Sequence, residues 1–331
     1  MRLWYAAPFL TQPVPLKIGG KVHLFLAAVW TNGYHKTQNR YEKLTEGERT
    51  LIDNIPHELD SYHYINKQRF VDTIREQGAK VFLDSGAFSA HSLGVSININ
   101  DYCDYVIRNR DILRVEDGDV MASVLDGIGD PLKTYQNQMY MESKGAKPLP
   151  CYHFGEPIEY LHWYVANYSY ITIGGLVGRA QRDQERWLDE VWEKGMLDGS
   201  GNAKLKVHGF GMTAPHLMKR YPWFSCDSSS WIQAASFGSI FTSEHGPIAV
   251  STDSPSKHDA GRHLTTLRPI ERERVEAMLA RKGFNLERLS TVYESRACYN
   301  CLGYMELNDL VNEYIAAQDS FECTKIQQLF N

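Results

Sequence analysis

The chain has 331 residues, 43% of them hydrophobic and 23% charged, with a formal net charge of −5 at pH 7. That composition excludes a disordered, collagen-like or coiled-coil protein, and the length suits one large barrel-type domain or two ordinary ones. The acidic balance runs against broad nucleic-acid affinity, because Lys and Arg must neutralise phosphate, so such a partner would need a local basic patch.

The opening "MRLWYAAPFL" carries an arginine and a short apolar stretch, but "TQPVPLKIGG" follows without a small-residue cleavage pattern, which predicts no signal peptide. No apolar run reaches the roughly 18 residues of a membrane span. Cys103, Cys151, Cys226, Cys298, Cys301 and Cys323 are scattered through a long chain, which predicts reduced thiols in a cytoplasm.

Strand-like runs are predicted at 22–30, 80–89, 120–130, 149–156, 170–178, 205–212, 223–231 and 238–243. Helical patterns lie between them, among them "INKQRFVDTIREQG", "INDYCDYVIRNRD", "PLKTYQNQMYMESKG", "PIEYLHWYVANY" and "QRDQERWLDEVWEKGM". Strand then helix, repeated without a Pro/Gly/Ser linker, predicts parallel β with crossover helices. A closed (β/α)8 TIM-type barrel fits the count and length, with a doubly wound open sheet as the other arrangement. Residues 244–270 read as a loop-rich excursion and 270–331 as a helical extension of one domain spanning 1–331. Basic stretches at 108–114, 216–222 and 262–274 are either nucleic-acid contacts or solvated helix faces.

The polar residues recur at one relative position. Asp84 ends "KVFLD", Asp126 ends "VMASVLD", His153 sits in "LPCYHFGE", Gly174 and Gly175 end "YITIGG", His208 ends "LKVH" and Asp227 ends "WFSCD". Each alone has a structural explanation as a cap, a core histidine or a tight turn. Six successive strand ends bearing them predict an active site at the carboxyl-end face of a parallel barrel.

These stretches carry a resemblance. "FLDSGAFSAH", "ITIGGLVG", "KVHGFGMTAP" and "WFSCDSSSW" resemble, in order and spacing, the motifs of tRNA-guanine transglycosylases. "LDSGAFSA", "HFGE" and "DSSSW" are similar to the wording of the phage and bacterial DNA branch, the 7-deazaguanine DNA transglycosylases. The resemblance implies exchange of guanine in a polynucleotide for a free 7-deazaguanine of the 7-cyano type, with no catalytic cofactor. By it, Asp227 is the nucleophile that carries a glycosyl ester and Asp84 the proton carrier. Asp126 accepts from the base's amine and ring N–H, and Gly174, Gly175 and Leu176 meet the deaza-ring substituent through their backbone. His153 stands where the tRNA enzymes keep a glutamine, and His208 belongs to the same base-binding group.

Phe88 could stack on the base or pack in the core. Ser228 and Ser229 could bond phosphate or sugar, or cap a helix, and Trp223 and Trp231 are candidate nucleic-acid contacts. The relatives' structural zinc would fall to Cys298, Cys301 and Cys323 here, without a clear fourth ligand, and buried thiols are the other reading. DNA and a free base are the expected partners, with accessory modification proteins left open. Two other readings remain: a transglycosylase acting on tRNA, and a metal-dependent hydrolase in which Asp84, Asp126, His153, His208 and Asp227 ligate one cation. A non-catalytic base-binding module is a third.

Overall fold

The computed structural model describes residues 20–243 and 245–329, with side chains described as far as residue 318. Seven short parallel strands make the main sheet. They are β1 (His23–Ala27), β2 (Glu58–Ser61), β3 (Val81–Asp84), β4 (Cys151–His153), β5 (Tyr170–Gly174), β6 (Lys206–Gly209) and β7 (Ser225–Ser228), in the order β3-β2-β1-β7-β6-β5-β4. Parallel neighbours cannot be joined by tight turns, and helices such as Gln68–Glu76, Ile158–Asn167 and Gln181–Val191 supply the crossovers.

The sheet is curled. The rings of Phe82 on β3 and His208 on β6 lie 4.7 Å apart, whereas four strand steps would separate them by roughly 19 Å in a flat sheet. Phe25, Leu59, Phe82, Met121, Leu149 and Tyr170 close one inner cluster from strands far apart in the order. On the outer face Leu24, Leu26, Ile171, Ile173 and Val207 pack with helix residues such as Leu161, Leu188 and Val311. The period of two along a strand therefore fixes the inward set. Once Phe25, Leu59, Phe82 and Tyr170 face in, so do Asp227, which pairs with Phe25, then Ser61, Asp84 and His208.

Two strand expectations are corrected. Residues 238–243 do not join the sheet; β8 (Ser239–Thr242) pairs antiparallel with β9 (Gly246–Ala249) in a separate hairpin. The strand that the sequence reading missed is β2, whose "ELDS" carries two carboxylates that look like loop chemistry. Both are satisfied internally: Asp60 accepts from Trp30 N, Thr31 N and Thr31 Oγ1, and Glu58 accepts from Trp30 Nε1.

The run at 120–130 holds no extended ladder. Asp119–Val120 pairs back on Val115–Glu116, and beyond it Ala122 bridges Leu83 while Ser123 bridges Leu149, each as a single parallel bridge. This segment links the two edge strands, with Ser123 N donating to Leu83 O and Val124 N to Leu149 O, each at 2.9 Å. The regular sheet is a seven-stranded curl, and a complete eighth ladder is not formed. The C-terminal part is helical as expected, with helices Pro269–Arg281, Leu286–Thr291 and Tyr293–Leu329. Among the described residues no helix is long and apolar enough to cross a membrane.

Candidate functional site

Asp84 is the last residue of β3, opposite Ser61 of β2. Its Oδ2 accepts from Ser61 Oγ at 2.7 Å and from Gly86 N at 3.0 Å, and Ser123 Oγ approaches Oδ1 at 3.4 Å. Burial pushes the Asp84 carboxyl up to about 6; the like charges of Asp126 and Asp227 push the same way, against the stabilising hydroxyl of Ser61 and amide of Gly86. Two further carboxylates, Asp126 from the turn after residue 124 and Asp227 from β7, are thus within electrostatic reach of Asp84.

Asp227 is held by another set of donors. Its Oδ1 accepts from Gly211 N at 2.8 Å and faces His208 Nε2 at 3.3 Å. His208 is wholly buried, and its Nδ1 lies 2.7 Å from Ser225 Oγ, which lies 2.7 Å from Tyr170 OH. The chain Tyr170, Ser225, His208, Asp227 fixes the imidazole and hence one carboxylate oxygen. Asp227 Oδ2 has no hydrogen bond among the described residues. His208 is therefore a positioning residue for Asp227, not the base contact the resemblance implies.

Asp126 and His153 meet to form another wall. His153 Nδ1 bonds Glu156 Oε1 at 3.0 Å, and Glu156 Oε2 accepts from His153 N at 3.1 Å. The other ring nitrogen, Nε2, lies 3.3 Å from Cys151 Sγ and 3.5 Å from Asp126 Oδ1. Burial opposes the His153 charge, yet the Cys151 sulfur and the Asp126 carboxylate hold its pKa well above the ordinary value. Burial pushes the Cys151 thiol up to about 11, partly offset by the histidine, so the carboxylate rather than a thiolate is the charge that His153 meets. Asp126 Oδ1 is sealed from solvent without a hydrogen-bond partner.

Gly174 and Gly175 make room for this wall. A Cβ at Gly174 would fall 3.1 Å from His153 Cδ2, and Gly175 turns the chain with φ +78°, where a Cβ would meet Phe154 N at 3.1 Å. Their carbonyl neighbours are partly spent: Gly174 O accepts from Phe154 N, and Leu176 O from Arg179 N and Gln184 Nε2. The Leu176 side chain is in the outer core. Gly175 remains exposed.

Phe88, just beyond Asp84, is 70% exposed, so of its two readings the core one is not what is seen. The tryptophans are corrected. Trp231 is fully buried with Nε1 donating to Ala27 O, and Trp223 is buried with Nε1 donating to Leu217 O, so neither offers a face to nucleic acid. Ser228 is buried and its Oγ accepts from Ser230 N, while Ser229 is the residue before helix Ser230–Ser236 and accepts from Gln233 Nε2. Ser228 thus satisfies the first amide of the helix, and Ser229 holds the cap position without a side-chain bond to the helix backbone.

The basic stretch 108–114 lies at the wrong end: Arg114 N donates to Val81 O, at the amino end of β3. In 216–222, Arg220 is paired with Asp189, and in 262–274 Arg268 and Arg272 pair with Glu271 and Glu276. Arg179, which sequence reasoning passed over, lies exposed with its guanidinium 4.7 Å from the Phe154 ring centroid, beside the Gly175 turn.

The zinc set that the sequence resemblance implies does not fit the residues described. Cys298 and Cys301 are fully buried in the core, Cys298 Sγ bonds Glu48 O at 3.3 Å, and burial raises both thiols. Cys323 lies outside the described side chains. Ser61, Tyr170, Ser225, Cys151 and Glu156 were also missed. Glu156 stood in the quoted "HFGE" and Cys151 lies two residues before its partner His153 in the same strand, whereas Ser61, Tyr170 and Ser225 carry no local signal because their partners come from other strands. No protein-family model matches the chain, and no curated protein matches it.

Proposed function

We propose that the chain is a base-exchange glycosyltransferase that replaces guanine in DNA with a 7-deazaguanine, working on a barrel that closes through residues 121–124 as its eighth strand. The observation that carries the reading is the unequal carboxylate pair: Asp84, with its acidity shifted to about 6 by burial and by two like charges, beside Asp227, whose Oδ1 is clamped by an amide and an imidazole. A double displacement needs that inequality, because one group must stay a nucleophile while the other moves a proton.

In the first half, Asp227 Oδ2 attacks the anomeric carbon from the face opposite the base, the glycosidic C–N bond breaks, and Asp84 gives its proton to the leaving guanine. In the second, ionised Asp84 takes the ring N–H proton of the incoming 7-deazaguanine, whose nitrogen attacks the same carbon and releases Asp227. Two inversions retain the sugar configuration. Asp126 would accept from the amine and ring N–H of either base, with protonated His153 beside it as donor, and Phe88 would stack. A paired guanine must be flipped out, at a few kcal/mol, least in single strands. Arg179 is the arginine best placed to meet a phosphate. The preference for DNA over tRNA rests on the motif wording.

The single-cation hydrolase reading loses its ligand set. Among the described residues the group with metal-ligand spacing takes Asp126 and His153 with Cys151, and leaves out Asp84, His208 and Asp227. The test is incubation with guanine-labelled DNA or tRNA and 7-cyano-7-deazaguanine. Release of label from DNA, and its absence with Asp227→Ala, is expected. Exchange into tRNA alone defeats the DNA assignment, and no exchange into either defeats the reaction.

A further inference from the structure

The Asp126 wall has features that base exchange does not require. Three groups of different chemistry, Asp126 Oδ1, Cys151 Sγ and His153 Nε2, all lie within 4.8 Å of one another. The sulfur to nitrogen distance is 3.3 Å and the nitrogen to oxygen distance 3.5 Å. Ligands on a tetrahedral zinc, at about 2.3 Å for sulfur and about 2.0–2.2 Å for nitrogen and oxygen, stand roughly 3.6 and 3.4 Å apart. The two edges that meet at His153 Nε2 match a tetrahedral face to within a few tenths of an ångström, and the third, from Cys151 Sγ to Asp126 Oδ1, lies within 4.8 Å.

Two further observations point to an ion. The Asp126 Oδ1 atom is sealed from solvent without a hydrogen bond and faces His153 Nε2 at 3.5 Å, so with a neutral imidazole there the carboxylate oxygen calls for an ion. The histidine is also prepared as a ligand: its remote nitrogen Nδ1 is tied to Glu156 Oε1, and Glu156 is itself fixed by the His153 amide. A carboxylate on the far nitrogen fixes the tautomer and turns the near lone pair toward a metal. Cys151 adds a soft ligand, and sulfur with imidazole selects zinc-like cations over magnesium or calcium.

We propose that Asp126, Cys151 and His153 form a three-ligand site for a zinc-class divalent cation, oriented by Glu156 and with its fourth position open. Loading removes the thiol proton of Cys151 and the Nε2 proton of His153 to solvent, leaving thiolate, neutral imidazole and carboxylate around the ion. The ion needs only Oδ1 of Asp126, so Oδ2 stays free for a base, while a metal-bound His153 no longer serves as the protonated donor of the apo site. The site neither rests on base exchange nor requires it.

The test uses the full chain. Metal content is measured after dialysis of protein purified from zinc-supplemented cells, and apo protein is titrated with Co(II) while the sulfur-to-cobalt charge-transfer absorption is followed. One equivalent per chain and a thiolate–cobalt band are expected for the wild type and for Cys298→Ser, with both lost in Cys151→Ser and His153→Ala. Glu156→Gln removes no ligand and keeps the test readable if those variants fail to fold; its Co(II) affinity should fall about 10- to 100-fold. Wild-type protein without submicromolar Zn(II) or Co(II) binding overturns the proposal. So does full stoichiometry in Cys151→Ser or His153→Ala, or an unchanged affinity in Glu156→Gln. A metal-loaded protein that exchanges no base leaves this site standing and removes the proposed reaction; a metal-free protein that exchanges base does the reverse.

Discussion

Replacing Asp84 with asparagine separates the cost of its charge from the use of its proton. In the native fold Oδ2 accepts from Ser61 and Gly86, and Oδ1 faces Ser123 Oγ at 3.4 Å. Asparagine can keep both acceptor contacts through its carbonyl and donate its amide to Ser123, so the packing survives while the charge is lost. The carboxyl is raised from 3.8 to about 6 by burial first and by Asp126 and Asp227 after it.

The sign follows from linkage. A group whose folded pKa exceeds its unfolded one contributes stability that is complete below the unfolded value and is lost as pH rises through the folded one. For Asp84 that window runs from about 3.8 to about 6. Roughly two pKa units at about 1.4 kcal/mol each set a ceiling near 3 kcal/mol, and partial exposure at the strand end brings the expectation to about 2 kcal/mol. Urea unfolding of both proteins from pH 3.5 to 7.5 should show Asp84→Asn more stable by about that amount above pH 6, with the advantage gone below pH 4. The variant should exchange no base. An advantage that is the same at every pH, or a loss of stability at pH 7.5, refutes the electrostatic account of this site.

On the proposed mechanism, formation of the glycosyl–enzyme adduct by the wild type needs protonated Asp84 and should fall as pH rises through about 6, whereas its capture by the incoming base needs the ionised form and should rise there; rapid-quench measurement of the two half-reactions checks the opposed limbs. Phe88→Ala should leave stability within about 0.5 kcal/mol because the ring is exposed, and should weaken single-stranded DNA binding by about 1–3 kcal/mol if the ring stacks on a base, as fluorescence anisotropy would read. Trp231→Ala should cost about 3–5 kcal/mol in thermal or urea unfolding through the cavity it opens, with DNA affinity of the folded fraction unchanged. Gly175→Ala should lose about 1–2 kcal/mol from the left-handed backbone alone and displace Phe154, seen as a lowered midpoint and a shifted His153 resonance.

What was legible in the sequence was whatever repeats along one strand. The strand-end rule holds for Asp84, His153, His208 and Asp227, which do lie at the carboxyl ends of strands because alternation and termination are local properties; Asp126 follows a segment that forms single bridges only, and the curl brings Asp126 and Asp227 within reach of Asp84. It failed at β2, where Glu58 and Asp60 break the apolar run, and their satisfaction by the Trp30–Thr31 turn of the preceding loop is a pairing no window on residues 58–61 can contain. The same limit misassigned His208. From sequence it is one more polar strand end, but its register opposite Thr172 and Ser225 places Ser225 Oγ on one ring nitrogen and Asp227 on the other. Whether a strand-end histidine faces a ligand or braces a carboxylate is decided by the neighbouring strands, so the inference from position to role holds only after the strand order is known. That order is also what separates two kinds of histidine here. His208, between a hydroxyl and a carboxylate, can only orient Asp227; His153, with Glu156 on one nitrogen and an open Cys151–Asp126 face on the other, is shaped to bind something.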